Sequence, residues 1–125
     1  MVSSRILLVE DDPDLAEYLA GPLEEEGYEV SVAADSAAAI ADARRRSPDV
    51  ILVDLAVRNR EAFRFLDRSR IFPEIASAPK VAMTAWGTVR EKKECARAGV
   101  SYFLEKPVDR AHLVSVVSSL LAKIR

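Results

Sequence analysis

The chain has one cysteine, one histidine and no apolar run approaching membrane length, and its acids and bases nearly cancel. Each scarcity excludes something. A lone Cys95 cannot close an internal disulfide, so the fold does not lean on an oxidising compartment; the residue reads as a small apolar helix position. No stretch nears the roughly 20 apolar residues of a membrane span. The N-terminus places one Arg before only four apolar residues, too few for a secretory segment. The expectation is a cytoplasmic protein with no membrane partner. A net charge of −2 provides no field for attracting nucleic acid or an anionic surface directly. The single His112 falls in the last helical segment, away from any strand end, and reads as a surface residue. At 125 residues, half of them hydrophobic, the chain suits one domain spanning 1–125 with a core that needs no staple.

What the chain does have is a series of short apolar runs that each stop at a polar residue. Ile6-Leu7-Leu8-Val9 runs into Glu10-Asp11-Asp12, Val50-Ile51-Leu52-Val53 into Asp54, and Val81-Ala82-Met83 into Thr84. Tyr102-Phe103-Leu104 is followed by Glu105-Lys106-Pro107. Uninterrupted runs of this length suit strands buried on both faces, as in a parallel sheet. In open parallel α/β sheets ligands bind beyond the carboxyl ends of the strands. As parallel neighbours, these runs would bring acids, a hydroxyl and an amine into one crevice.

The intervening segments read as helices. Asp12-Pro13 is a helix start, with Asp as N-cap and Pro at the first helical position. Leu15, Tyr18, Leu19 and Leu23 recur at helical spacing up to a stop at Gly27, with a kink expected at Pro22. A second strand over 28–33 leads to an Ala-rich helix capped by Asp35 or Ser36. That helix ends in Arg44-Arg45-Arg46, a solvated helix end or a docking patch. A third helix starts near Asn59 to Glu61. Residues 73–79 read as a loop, 88–98 as the fourth helix, and the fifth follows Asp109 with a broad apolar stripe from Leu113 to Ile124. Five strand–helix units in strict alternation imply a parallel sheet with helices on both faces.

Glu10, Asp11 and Asp54 brought together would repel, at roughly 4 kcal/mol per pair at about 4 Å and an effective dielectric near 20. Such a cluster either raises a pKa or holds a cation. Three acids, Lys106 and one divalent cation sum to zero charge, and oxygen-only donors beside phosphate chemistry favour Mg²⁺. Asp54, ending the central strand, is the nucleophile candidate, since a carboxylate can attack a phosphoryl donor to give an acyl phosphate. Lys106 and the cation would offset charge on the transferring group, and Thr84 could donate to a phosphoryl oxygen.

In Ile6–Pro13, Pro48–Leu55, Met83-Thr84-Ala85, Ala98-Gly99 and Leu104–Pro107, correctly ordered and spaced, the chain resembles the receiver domain of bacterial two-component response regulators. The resemblance implies a flavodoxin-like doubly wound sheet of five parallel strands, order 2-1-3-4-5, with five helices. It implies that Asp54 is the phosphoacceptor, that Glu10, Asp11, Asp54 and the backbone carbonyl of Ala56 hold Mg²⁺, and that Thr84 is the switch hydroxyl. Lys106 would be the phosphoryl-binding amine, commonly preceding a cis bond to Pro107, and Asp12 a helix cap. Phe103 falls at the aromatic switch position, either mobile or static core, with Tyr102 on the opposite face. The implied partner is a histidine kinase or phosphotransfer protein, and His112 is not the donor histidine. The fourth helix, fifth strand and fifth helix form the implied readout face. There Arg90, Lys92, Lys93, Arg97, Asp109 and Arg110 could pair in a homodimer or meet an output partner.

The segment after Asp54 departs from that pattern. Arg58 and Ala62 stand where the family usually carries Pro and Gly. Arg58 could reach the phosphoryl group, compete with the metal for the acids, or be solvated like Arg60, Arg64, Arg68 and Arg70. Trp86 and Ala56 could shield the phosphoryl group, or Trp86 could be a docking aromatic. These departures keep a phosphorylation-independent interaction module, a pseudo-receiver, as the alternative.

Overall fold

The computed structural model describes residues 3–85 and 87–124. Five strands form one sheet: β1 (Arg5–Val9), β2 (Glu29–Ala33), β3 (Val50–Asp54), β4 (Lys80–Thr84) and β5 (Val100–Glu105). The order is β2-β1-β3-β4-β5 and every pairing is parallel. Among the described residues there are six α-helices: α1 (Pro13–Glu25), α2 (Ser36–Arg45), α3 (Glu61–Ser69), α4 (Pro73–Ala76), α5 (Val89–Arg97) and α6 (Arg110–Ile124). A 3₁₀ turn, Arg58–Arg60, precedes α3.

The two faces of the sheet explain the unbroken apolar runs. Ile6, Leu8, Leu52, Val81, Met83 and Leu104 pack against α1 and α6. Their alternates Leu7, Val9, Ile51, Val53 and Ala82 pack with Ala39, Phe65, Leu66, Ile75 and Cys95 of α2 to α5. Alternate residues of a strand point to opposite faces, so a strand covered on both sides must be apolar throughout.

Asp12 caps α1, its Oδ1 accepting from the amides of Asp14 and Leu15. Asp35 caps α2, accepting from Ala38. One expectation changes. Residues 73–79 are not wholly loop, because α4 forms there and raises the helix count to six. Pro73 supplies a helical φ at its first position, Ile75 is buried beneath it, and Lys80 holds its far end. The buried Lys80 ammonium donates to the carbonyls of Ile75, Ala76 and Ala78 at 2.8, 3.3 and 3.0 Å. At Pro22, where a kink was expected, α1 runs through the proline as one helix. Proline has no amide to offer the carbonyl four residues back, and Arg110 of α6 fills that role by donating to the Tyr18 carbonyl at 3.1 Å. Gly21 leaves room for it, since a Cβ there would stand 3.2 Å from the Arg110 guanidinium.

Candidate functional site

Strand register brings the polar run-ends together. Val9 pairs with Val53, so Glu10 and Asp54 follow neighbouring positions on β1 and β3. Asp54 pairs with Met83, which places Thr84 one residue further along β4. Thr84 pairs with Glu105, and the Lys106 amide donates to the Thr84 carbonyl at 2.9 Å. The Lys106–Pro107 bond is cis.

The floor of this crevice is Asp54, Glu10 and Lys106. Asp54 and Glu10 are each 2% exposed. The Lys106 ammonium lies 2.8 Å from both Asp54 carboxylate oxygens, and the Ala56 amide donates to Asp54 Oδ1 at 2.8 Å. Glu10 Oε2 accepts from the Asp12 amide at 3.2 Å, while its buried Oε1 has no hydrogen-bond partner. Burial first, and then the neighbouring Asp54 carboxylate, push Glu10 up to about 8. Burial acts to raise Asp54 as well, but a proton on Glu10, the Lys106 ammonium and the Ala56 amide all favour its charged form and bring it below the usual value. Burial thus favours the neutral form of Glu10, while Lys106 and the Ala56 amide favour the charged form of Asp54.

The rim is built differently. Asp11 is engaged by Arg58. Its Oδ2 accepts from both the backbone amide of Arg58 at 3.2 Å and the Arg58 Nε at 3.3 Å. Thr84 donates its hydroxyl proton to Glu91 Oε1 at 2.8 Å. Among the described residues no three Asp, Glu, His or Cys side chains converge as a ready-made metal set. The unpartnered Glu10 oxygen, the Asp54 carboxylate and, once it leaves Arg58, Asp11 are the oxygen donors that suit a hard divalent cation.

Of the sequence candidates, the fold unites Glu10, Asp54 and Lys106 and puts Thr84 on the adjacent strand tip. It turns Asp11 to the Arg58 turn, which also adjoins the exposed Ala56. Phe103 is half-buried against the α2-to-α5 side of the sheet, with the Lys92 ammonium 5.9 Å from its ring centroid, and Tyr102 is exposed. Trp86 lies outside the described residues. His112 is exposed on α6. The expected fourth and fifth helices are α5 and α6, and the exposed Arg110 at the start of α6 also contacts Tyr18 of α1. The arginines after β3 are mostly tied within the chain, Arg60 to Glu94, Arg68 to Ser36 and Arg70 to Asp67.

Glu91 was not legible as a site residue. Thr88-Val89-Arg90-Glu91 has the spacing of a capping box, which would have marked Glu91 as pointing back over the helix start. Thr88 does cap α5, accepting from the Glu91 amide at 3.1 Å, while the Glu91 carboxylate goes to Thr84.

Residues 6–118 match the family model of the response regulator receiver domain. Protein PilH of Pseudomonas aeruginosa is 29% identical over 119 residues, covering 95% of this chain and 98% of that protein. The DNA-binding dual master transcriptional regulator RpaA of Synechocystis sp. is 31% identical over 95% of this chain, but the chain spans only 49% of its length. Among solved structures, the receiver domain of the sensor histidine kinase PA1611 from P. aeruginosa, with magnesium coordinated in its active site cleft, superposes with a TM-score of 0.86. It is 28% identical and covers 97% of this chain and 99% of its own. The five-stranded order, the polar strand tips and these matches agree, and the chain belongs to the response regulator receiver domain family.

Proposed function

We propose that Asp54 accepts a phosphoryl group from a histidine kinase or phosphotransfer protein, and that the acyl phosphate shifts the chain between two arrangements. The observation that carries this reading is an ionised carboxylate at a strand tip with a lysine ammonium 2.8 Å from both of its oxygens. An Asp54 oxygen attacks phosphorus, the P–O bond forms as the P–N bond to the donor histidine breaks, and the donor imidazole leaves with the electron pair. Lys106 then shifts from the carboxylate to the phosphoryl oxygens, where its charge offsets the developing negative charge. Glu10, Asp11, Asp54 and the Ala56 carbonyl would hold Mg²⁺, and the unpartnered Glu10 oxygen fits that role. When bound, Mg²⁺ supplies Lewis-acid polarisation of the phosphoryl group. Because the phosphoryl group adds charge and strong acceptors, it favours whichever arrangement of Thr84 and its loop donates to it.

The test is exposure to a small-molecule acyl phosphate with Mg²⁺, read by intact mass. The wild-type chain gains one hydroxylamine-labile phosphoryl group and Asp54→Asn gains none. Equal labelling of the two, or none in the wild type, refutes the reading. The second reading, a phosphorylation-independent interaction module, draws on the burial of Asp54 and on Arg58 occupying Asp11; it expects no adduct.

No helix among the described residues is long and apolar enough to cross a membrane. We place the domain in the cytoplasm with its kinase. The face of α5, β5 and α6, which carries exposed Arg90, Lys92, Lys93, Arg97 and Asp109, is the surface for a second copy or an output partner.

A further inference from the structure

Thr84 ends β4 and Glu91 lies in the first turn of α5, and their contact has a chemical consequence. A hydroxyl carries one proton. While Thr84 donates it to Glu91 Oε1 at 2.8 Å, the same proton cannot be donated to a group on Asp54. Glu91 is held in place to receive it. Its amide is fixed by Thr88 Oγ1, and the Lys92 amide by the Thr88 carbonyl at 2.9 Å. The first turn of a helix also favours a carboxylate.

The helix that Glu91 anchors has little else to hold it. Cys95 is the one fully buried side chain of α5 among the described residues, and Val89 at its start is 71% exposed. Among the described residues three polar contacts tie it down, Glu91 to Thr84, Glu94 to Arg60, and the Lys92 ammonium over the Phe103 ring. A helix with one buried side chain depends on such contacts more than one with a full apolar face does.

We infer that Glu91 is a positioning residue that holds the Thr84 proton away from Asp54, so that an acyl phosphate on Asp54 and the first turn of α5 compete for one hydrogen bond. Resting on the phosphoacceptor reading, this names the group that sets the switch threshold. When Thr84 turns to the phosphoryl oxygens, Glu91 loses its donor and the start of α5 loses a polar anchor. The switch is thereby conveyed to α5 through a carboxylate.

The experiment measures beryllofluoride binding, as an acyl-phosphate mimic, to the full chain with Mg²⁺ by amide NMR. Glu91→Ala is expected to bind about tenfold more tightly than wild type, the scale of one hydrogen bond to a charged acceptor. Glu91→Gln, which keeps an acceptor oxygen, is expected to stay near wild type. In a Thr84→Val background the Glu91→Ala gain disappears, which a merely structural role for Glu91 would not produce. Without beryllofluoride, amide exchange in the first turn of α5 is expected to be faster in Glu91→Ala than in wild type. Equal affinity of wild type and Glu91→Ala, or an equal gain in the Thr84→Val background, overturns the inference while leaving the phosphoacceptor reading intact. No binding by wild type or any variant overturns both.

Discussion

The floor and the rim of the crevice are made by different means. On the floor, Glu10, Asp54 and Lys106 extend from or follow β1, β3 and β5, and their positions follow from strand register. They are buried or half-buried, and the Asp54–Lys106 contact is short and two-pronged. At the rim, Asp11 is held by Arg58, whose side chain is 86% exposed, and the hydroxyl of Thr84, itself a buried strand-end residue, by Glu91 on a sparsely packed helix. The floor is preorganised by the sheet, whereas the rim is held by contacts that solvent, a cation or a phosphoryl group can replace. A switch needs both, a fixed reacting group and surroundings with two arrangements close in free energy.

The largest effects should come from the floor. Lys106→Met leaves the buried Asp54 carboxylate without its ammonium, which is expected to cost about 3 kcal/mol in urea unfolding at neutral pH and to slow labelling by a small acyl phosphate about a hundredfold. Loss of neither would show that the Lys106 contact is incidental.

Glu10 gives the next effect, with a sign fixed by linkage. Its folded pKa is raised from 4.5 to about 8. Between those values the folded chain binds more protons than the unfolded one, so stability falls as pH rises from about 4.5 to 8. Asp54, lowered from 3.8, acts in a separate window, its contribution being lost only as the pH drops below that value. In chelator, Glu10→Gln is expected to flatten the decline between pH 5 and 8 and to stabilise the chain at pH 7 by about 3 kcal/mol. A slope unchanged by Glu10→Gln would place the proton elsewhere.

The rim should respond weakly. An exposed ion pair is worth about 0.2–1 kcal/mol, so Arg58→Ala is expected to tighten Mn²⁺ or Mg²⁺ binding only about twofold to fivefold by calorimetry. A hundredfold gain would make the rim as rigid as the floor and erase the contrast. Smallest is Arg110→Ala, which leaves the Tyr18 carbonyl to solvent and is expected to lower stability by about 0.5 kcal/mol.

The same contrast explains what could be read from sequence. Four apolar runs ending in Glu10, Asp54, Thr84 and Lys106 announce a parallel sheet and its chemistry, because strand period and register convert position directly into place. Asp12-Pro13 and Asp35 likewise announce their helices through local capping. What escaped notice depends on contacts between distant segments. Arg110 satisfying the carbonyl freed by Pro22 needs α1 and α6 side by side. Lys80 stapling α4 needs a lysine buried at a strand start, against its usual preference for solvent. Competition of Arg58 for an acid was legible and it falls on Asp11, but the path of residues 56–60 was not, where Asn59 and Arg60 both take left-handed φ, +59° and +55°. Neither residue is glycine, so composition gave no signal of that path.

The most direct test locates the covalent bond itself. The chain is labelled with a small acyl phosphate and Mg²⁺, reduced with borohydride, digested and sequenced by mass spectrometry; reduction turns a phosphorylated aspartate into homoserine. The expected result is homoserine at position 54 in the wild type and its absence after Asp54→Asn. A reduced residue at position 10 or 11, or no reduced residue, would contradict Asp54 as the phosphoacceptor.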